Sequence, residues 1–267
     1  MAASSLEESD ALGSTESISF GDPGAAPFGN FPHYYRFHPP GDRLRLLSPE
    51  LKARLPEAEW ARPLLCLDVG CNSGDLSVAL YRLLMGFQDN ETARALSVDD
   101  LGNVQLLCCD IDATLIQRAK ETNPFPDSIS YSCLNIMDAV ARQGVFDSFL
   151  ARFDRSSFDL VFCMSVTMWI HLHHGDRGLV EFLGCLASLC KYLLIEPQPW
   201  KCYRSAARRL RKLGRNDFDH FRSLTITGDM TKQITKILTS DGATELICSF
   251  GNTSWDRSIL LFKSNKL

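Results

Sequence analysis

Short apolar runs alternate with stretches of helical periodicity along most of this chain. The run at 64–69 is interrupted only by Asp68 and leads into Gly70 and Gly74, which predicts a buried strand, a glycine turn and a helix over 74–84. Runs at 104–110, 129–134, 158–164 and 192–196 predict four more strands, and 245–250 and 258–262 predict a closing pair. Helical spacing recurs at 112–120, 203–213 and 229–240, and at 177–191, where Leu179, Phe182, Leu183, Leu186 and Leu189 fall on one face. Ser48 before Pro49 predicts a further helix start, with Ser48 as its cap. Residues 86–103 are polar and irregular, the pattern of a surface insertion. Residues 1–27 hold few large apolar groups and are expected to be disordered, leaving 28–267 as a single domain. Its first part, 28–40, is rich in aromatics and prolines, so it is expected to pack on the body as neither linker nor regular helix. Strands alternating with helices predict an α/β fold, a mostly parallel sheet of about seven strands with helices on both faces.

In such a sheet a ligand lies beyond the carboxyl ends of the strands, beside the first one. There, Asp68 precedes Gly70 by two positions and no G-x-G-x-x-G follows. That turn suits a nucleoside with a cationic tail, S-adenosylmethionine (SAM), better than it suits a dinucleotide pyrophosphate. Gly70 and Gly74 allow close approach of the backbone, and the Asn72 amide between them can bond a carboxylate or an amine. Asp110 ends the second strand, where a carboxylate accepts ribose hydroxyls; the insertion at 86–103 accounts for its distance from Gly70. Asn135 and Ile136 follow the third strand and are placed to flank an adenine, with Met164 on the other side of the ligand. Singly, each has a plainer reading, since glycine turns after strands are common and Asp110 could cap a helix. Jointly, in this order, they predict a class I SAM-dependent methyltransferase.

Composition narrows the rest. The chain has 267 residues, 45% of them hydrophobic, enough for one large core. Its net charge of −4 confines any nucleic-acid surface to a local patch. The ten cysteines lack metal-ligand spacing and lie mostly in apolar runs, which predicts buried thiols, no metal and a cytoplasmic protein. Neither a secretory signal nor an apolar run of membrane-spanning length is expected. The positive patch is at 201–215, with Lys201, Arg204, Arg208, Arg209, Arg211, Lys212 and Arg215 and no acid. Arg204, Arg208, Arg211 and Arg215 share a helical face, which suits a phosphate backbone more than it suits idle surface. The stretch just before the patch, 196–201, is stiffened by Pro197 and Pro199 and presents Gln198, Trp200 and Lys201. Among the three histidines at 171–174, His171 is read as a phosphate or hydrogen-bonding group rather than a metal ligand. No Asn/Asp-Pro-Pro-aromatic loop and no Pro-Cys pair is present, which speaks against base-amine and cytosine-carbon methylation.

The motifs at 28–35, 67–74, 165–172 and 194–200 together resemble the bicoid-interacting-protein family of RNA methyltransferases, which includes the methylphosphate capping enzyme of small nuclear RNA. The resemblance spans 28–263 and is strongest to short members that methylate the 5′-monophosphate of microRNA precursors and histidine transfer RNA. It implies that Arg43, Asn72, Asp110, Asn135, Ile136 and Met164 contact SAM, and that Tyr34, Tyr35, His171, Gln198, Trp200 and Lys201 shape the acceptor side. Where relatives continue the double tyrosine as Tyr-Tyr-x-x-Arg, this chain has His38. A terminal phosphate is already mostly dianionic near neutral pH, so its oxygen attacks without a general base. Lys201 and His171 are expected to hold that phosphate, while Tyr34 or Tyr35 orients an oxygen or stacks on the first base. The expected partners are a small RNA with a 5′-phosphate and RNA-processing proteins, with no membrane, around a monomer. The competing readings are an RNA-binding protein that has lost turnover, a methyltransferase of a triphosphate-ended small nuclear RNA, and a protein or small-molecule methyltransferase.

Overall fold

The computed structural model describes residues 26–48, 50–55, 63–87 and 104–265. The expected disordered tail (save its last two residues), Pro49 and most of the surface insertion lie outside the described residues.

Seven strands form one sheet: β1 (Leu64–Val69), β2 (Val104–Asp110), β3 (Ile129–Cys133), β4 (Phe158–Met164), β5 (Cys190–Glu196), β6 (Thr244–Asn252) and β7 (Ser258–Ser264). Their order is β3-β2-β1-β4-β5-β7-β6. The first five are parallel, and β7 runs antiparallel to both β5 and β6. β1, β2 and β4 are buried at every position, which is why they read as mostly apolar runs rather than alternating ones. Alternate side chains of β1 feed two cores: Leu65, Leu67 and Val69 enter one, and Leu64 and Cys66 the other.

The helices divide between those faces. On the first lie α6 (Ala139–Ala151), α7 (Thr167–Leu189), α8 (Trp200–Lys212) and α9 (Met230–Thr239). The second carries α2 (Pro40–Leu47), α3 (Leu51–Arg54), α4 (Asp75–Met85) and α5 (Ala113–Glu121). A single turn, α1 (Tyr34–Phe37), precedes them. Aspartates 112, 138 and 229 cap α5, α6 and α9 by accepting hydrogen bonds from first-turn amides.

Three expectations are corrected. Ser48 does not start a helix: its amide bonds the Leu44 carbonyl and closes α2, and Glu50 precedes α3. The helix expected at 177–191 begins ten residues earlier, at Thr167, with a break at Gly175 (φ 67°), a backbone angle that glycine tolerates. α6 has no counterpart in the sequence reading. Its buried residues, Phe146, Phe149 and Leu150, crowd into its second half while Val140 is exposed, so no stripe runs its length.

Candidate active site

Beyond the carboxyl ends of β1, β2 and β4 opens a cavity of about 590 Å³, a size that holds a small molecule. One end is built by the strand termini. Asp68, Gly70, Asn72, Asp110, Asn135, Ile136 and Met164 line it, with Ile111 and Leu134 as further apolar wall. The Asp110 carboxylate is fixed by the amides of Asn72 (2.8 Å) and Asp112 (3.0 Å). Burial raises its pKa, and those amides oppose the rise. Asp68 is held by the Ser77 hydroxyl at 2.6 Å, and burial pushes its carboxyl up to about 6. Asn72 sits at φ 52°, and its side-chain amide donates to the Phe31 carbonyl at 3.1 Å. The expected amide is therefore at the cavity wall, but it fastens the N-terminal aromatic segment there.

The glycines act differently from the sequence reading. Gly70 (φ 77°) lines the cavity, but a Cβ on it would overlap the Val166 side chain. Gly74 (φ 82°) does not line the cavity, and a Cβ on it would collide with the Tyr131 hydroxyl. Both are required by packing and by backbone angle.

The other end is assembled from segments far apart in the chain. Tyr34, Tyr35, His38, Arg43, Ser165, Gln198, Lys201, Cys202 and Arg257 line it. Behind that wall, fully buried at the end of β5, the carboxylate of Glu196 ties several of them together. Glu196 Oε2 accepts from Arg43 Nη2 (2.7 Å), Arg43 Nε (3.1 Å) and the Ser165 hydroxyl, and Oε1 accepts from the Trp255 indole at 3.0 Å. Burial alone would neutralise the carboxyl, but Arg43 and Arg257 hold it below its ordinary pKa. For Arg43, burial opposes the charge, and Tyr34 and Glu196 restore it. The Tyr34 hydroxyl accepts from Arg43 Nη2 (2.9 Å) and Arg257 Nη1 (3.2 Å), while Tyr35 donates to the Cys71 carbonyl at 3.1 Å. Gln198, almost fully buried, bonds the Ser165 carbonyl and accepts from the Met168 amide at 3.1 Å, so it shapes the strand-to-helix turns.

Several expected acceptor residues stand elsewhere. His171 is fully buried and does not line the cavity; its Nε2 pairs with Asp176 (2.7 Å) and its Nδ1 with the Tyr203 hydroxyl (3.1 Å). With both nitrogens engaged, it has no face for a phosphate, and the lining histidines are His38, His173 and His174. Trp200 also turns away and stacks on Tyr203 with ring centres 4.7 Å apart. Arg204, Arg208, Arg211 and Arg215 are exposed and outside the cavity lining. The face of α8 that meets the cavity carries Lys201, Ser205 and Arg209, spaced four apart. Lys201 itself is half exposed and paired with Asp256 at 2.8 Å. Arg257 was given no role, although it directly precedes the strand predicted at 258–262, and His38 entered only as the position where relatives carry an arginine.

No His/Cys/Asp/Glu cluster among the described residues is arranged to hold a metal. No helix among them is long and apolar enough to cross a membrane. Every described cysteine is a free thiol, and most are buried.

The sheet order, the glycine turn after β1 and the carboxylate ending β2 define a class I SAM-dependent methyltransferase fold. A family model described as Bicoid-interacting protein 3 (Bin3) matches residues 158–264. An RNA 5′-monophosphate methyltransferase of Bos taurus is 61% identical, covering 92% of this chain and 83% of that one. A pre-miRNA 5′-monophosphate methyltransferase of Xenopus laevis is 60% identical over 94% of this chain and 98% of that one, and one of Danio rerio is 49% identical over 91% and 94%. The chain belongs to the Bin3 family of RNA methyltransferases. Among solved structures, the plantazolicin methyltransferase BamL with S-adenosylhomocysteine (SAH) aligns at TM-score 0.49 and 15% identity over 87% of this chain and 89% of that one.

Proposed function

We propose that this protein transfers a methyl group from SAM to the 5′-monophosphate of small RNAs. The observation that carries this reading is a single cavity with two unlike ends: strand-end carboxylates at one, and two buried guanidiniums against one carboxylate at the other. The curated relatives point the same way, in names that specify RNA 5′-monophosphate and pre-miRNA ends; histidine transfer RNA rests on the resemblance of the motifs.

The residues fit the donor. Asp110, buried at the strand end with its carboxylate held by two amides, suits a ribose, and Ile111, Leu134, Ile136 and Met164 form apolar walls for a flat base. Asp68 and Asp110 give this end negative charge, which suits a cationic tail. When bound, SAM supplies a sulfonium methyl whose carbon is open to in-line displacement. At the other end, the chain's own residues have to hold a dianion in place. Arg257 and Tyr34 offer donors there, with Arg43 and Ser165 bound to Glu196 beside them, and a terminal phosphate needs no proton removed. Catalysis is then mainly orientation of two charged partners in one cleft. Gln198 supports it by holding the turn that carries Ser165. The exposed arginines of α8 attract the RNA body without reading its end.

The test compares one RNA bearing 5′-hydroxyl, 5′-monophosphate or 5′-triphosphate ends, with radiolabelled methyl incorporation as the readout. Incorporation confined to the monophosphate is expected. Equal labelling of the hydroxyl end would place the acceptor elsewhere on the RNA, and preference for the triphosphate would favour the small-nuclear-RNA reading.

A further inference from the structure

The two buried guanidiniums are not equivalent. Arg43 spends its Nε and Nη2 on Glu196, a fully buried ion pair. Arg257 is nine-tenths buried too, yet every hydrogen bond it makes goes to an uncharged group. Its Nη1 donates to the Ser165 hydroxyl (2.6 Å) and the Tyr34 hydroxyl (3.2 Å), its Nη2 reaches only the Cys202 sulfur at 3.9 Å, and its Nε has no partner. Glu196 cannot take a further bond at little cost, because its two oxygens already accept four hydrogen bonds, about the capacity of a carboxylate. Asp256, the neighbouring acid, is paired with Lys201. At the Ser165 hydroxyl, which touches all three, two buried guanidiniums therefore meet one carboxylate, and the next buried acid, Asp68, acts on Arg43. An uncompensated buried charge is costly, and an Nε–H with no acceptor adds to that cost.

The unused edge is informative. Nε–H and the neighbouring Nη2–H of a guanidinium point the same way and form the side-on fork that takes two oxygens of one phosphate. In Arg257 that fork is occupied only by a distant thiol, and both Arg257 and Cys202 line the cavity. Nearby, His38 Nδ1 is likewise buried without a partner, stacked on Tyr34 with ring centres 4.7 Å apart.

We propose that Arg257 is the residue that grips the terminal phosphate of the RNA, through its Nε–Nη2 edge, with Ser165 and Tyr34 fixing the guanidinium from behind. The inference rests on the RNA 5′-phosphate reading and assigns the anchor of that site. It transfers to Arg257 the role that Lys201 and His171 were expected to share.

The experiment measures binding of matched 5′-monophosphate and 5′-hydroxyl RNAs, and of SAH, to the wild-type chain and to Arg257→Gln, Arg257→Lys and Cys202→Leu. Wild type should prefer the monophosphate; absence of that preference sinks the RNA 5′-phosphate reading itself. In Arg257→Gln the preference should fall at least tenfold while SAH affinity stays within threefold, and Arg257→Lys should recover only part of it. Cys202→Leu, which fills the edge without touching the buried charges, should lose the preference as well and keeps the test open if Arg257→Gln does not fold. Full preference in any folded Arg257 variant or in Cys202→Leu overturns the assignment, as does a loss of SAH binding that matches the loss of RNA binding.

Discussion

The two ends of the cavity are built by different means. At one end, Asp68, Asp110 and Met164 lie at strand termini and Gly70 and Asn72 in the turn that follows β1 directly. At the acceptor end, α1 and α2, the turn after β4, the end of β5 and the β6–β7 connection each contribute one or two side chains to a single network. The first end is placed by the strand ends and by short-range bonds of their carboxylates to turn amides and the Ser77 hydroxyl. The second is held by side-chain charge, and so depends on each partner being present.

The largest expected effect follows from that dependence. Glu196→Gln leaves Arg43 and Arg257 buried with no carboxylate between them, and removing one partner of a buried pair costs about 3–5 kcal/mol. Urea unfolding at neutral pH should show a loss of that order. The sign with pH is fixed as well: Glu196 has a folded pKa below its ordinary value, so its contribution is full at neutral pH and is lost as pH falls through the carboxylate range. A Glu196→Gln variant as stable as wild type would mean that the acceptor end is not held by charge.

The same contrast explains what the sequence disclosed. Strands buried on both faces leave mostly apolar runs, and the residues at their ends, expected to hold the donor, follow in chain order and line one cavity, so the sheet and this strand-end cluster were both legible. Acceptor residues such as Arg43, Ser165, Glu196 and Arg257 are separated by up to 214 positions (257 − 43) and meet only through the fold. No periodicity marks such a meeting, and Arg43 entered through resemblance alone, as an expected SAM contact, whereas its side chain joins the Glu196 and Tyr34 network. His171 misled because a histidine after a strand end looks available, whereas α7 begins at Thr167 and turns the ring into the core. The arginines of α8 show a different limit. A shared helical face is readable from spacing, but which face meets the cavity is decided by the apolar side chains Tyr203, Ala206, Ala207 and Leu210 that dock the helix.

A smaller effect sharpens the donor side. Burial pushes the Asp68 carboxyl up to about 6, so it is ionised above that pH and neutral below it. A charged donor and its neutral product differ at the sulfur, so the ratio of SAM to SAH affinity reports the negative charge at this end. Calorimetric titration should show that ratio falling as pH drops through about 6, and Asp68→Asn should make it flat. A ratio that does not change with pH in the wild-type chain would remove Asp68 from the electrostatics of the donor.

The smallest effect concerns the two faces of α8. Arg204 and Arg208 are exposed and lie outside the cavity, whereas Lys201, Ser205 and Arg209 line it. Solvated charges interact weakly and are screened within about 8–10 Å at ordinary ionic strength. Arg204→Ala and Arg208→Ala should therefore each weaken RNA binding by less than about threefold, through the salt-dependent attraction of the phosphate backbone. The weakening should be equal for 5′-phosphate and 5′-hydroxyl RNAs, because these side chains are placed to meet the body of the RNA and not its end. Filter binding at two salt concentrations separates the cases. If either variant erased the preference for the phosphate end, the solvent face of α8 would belong to the catalytic site, and the division between a charge-built acceptor end and a merely attractive outer surface would fail.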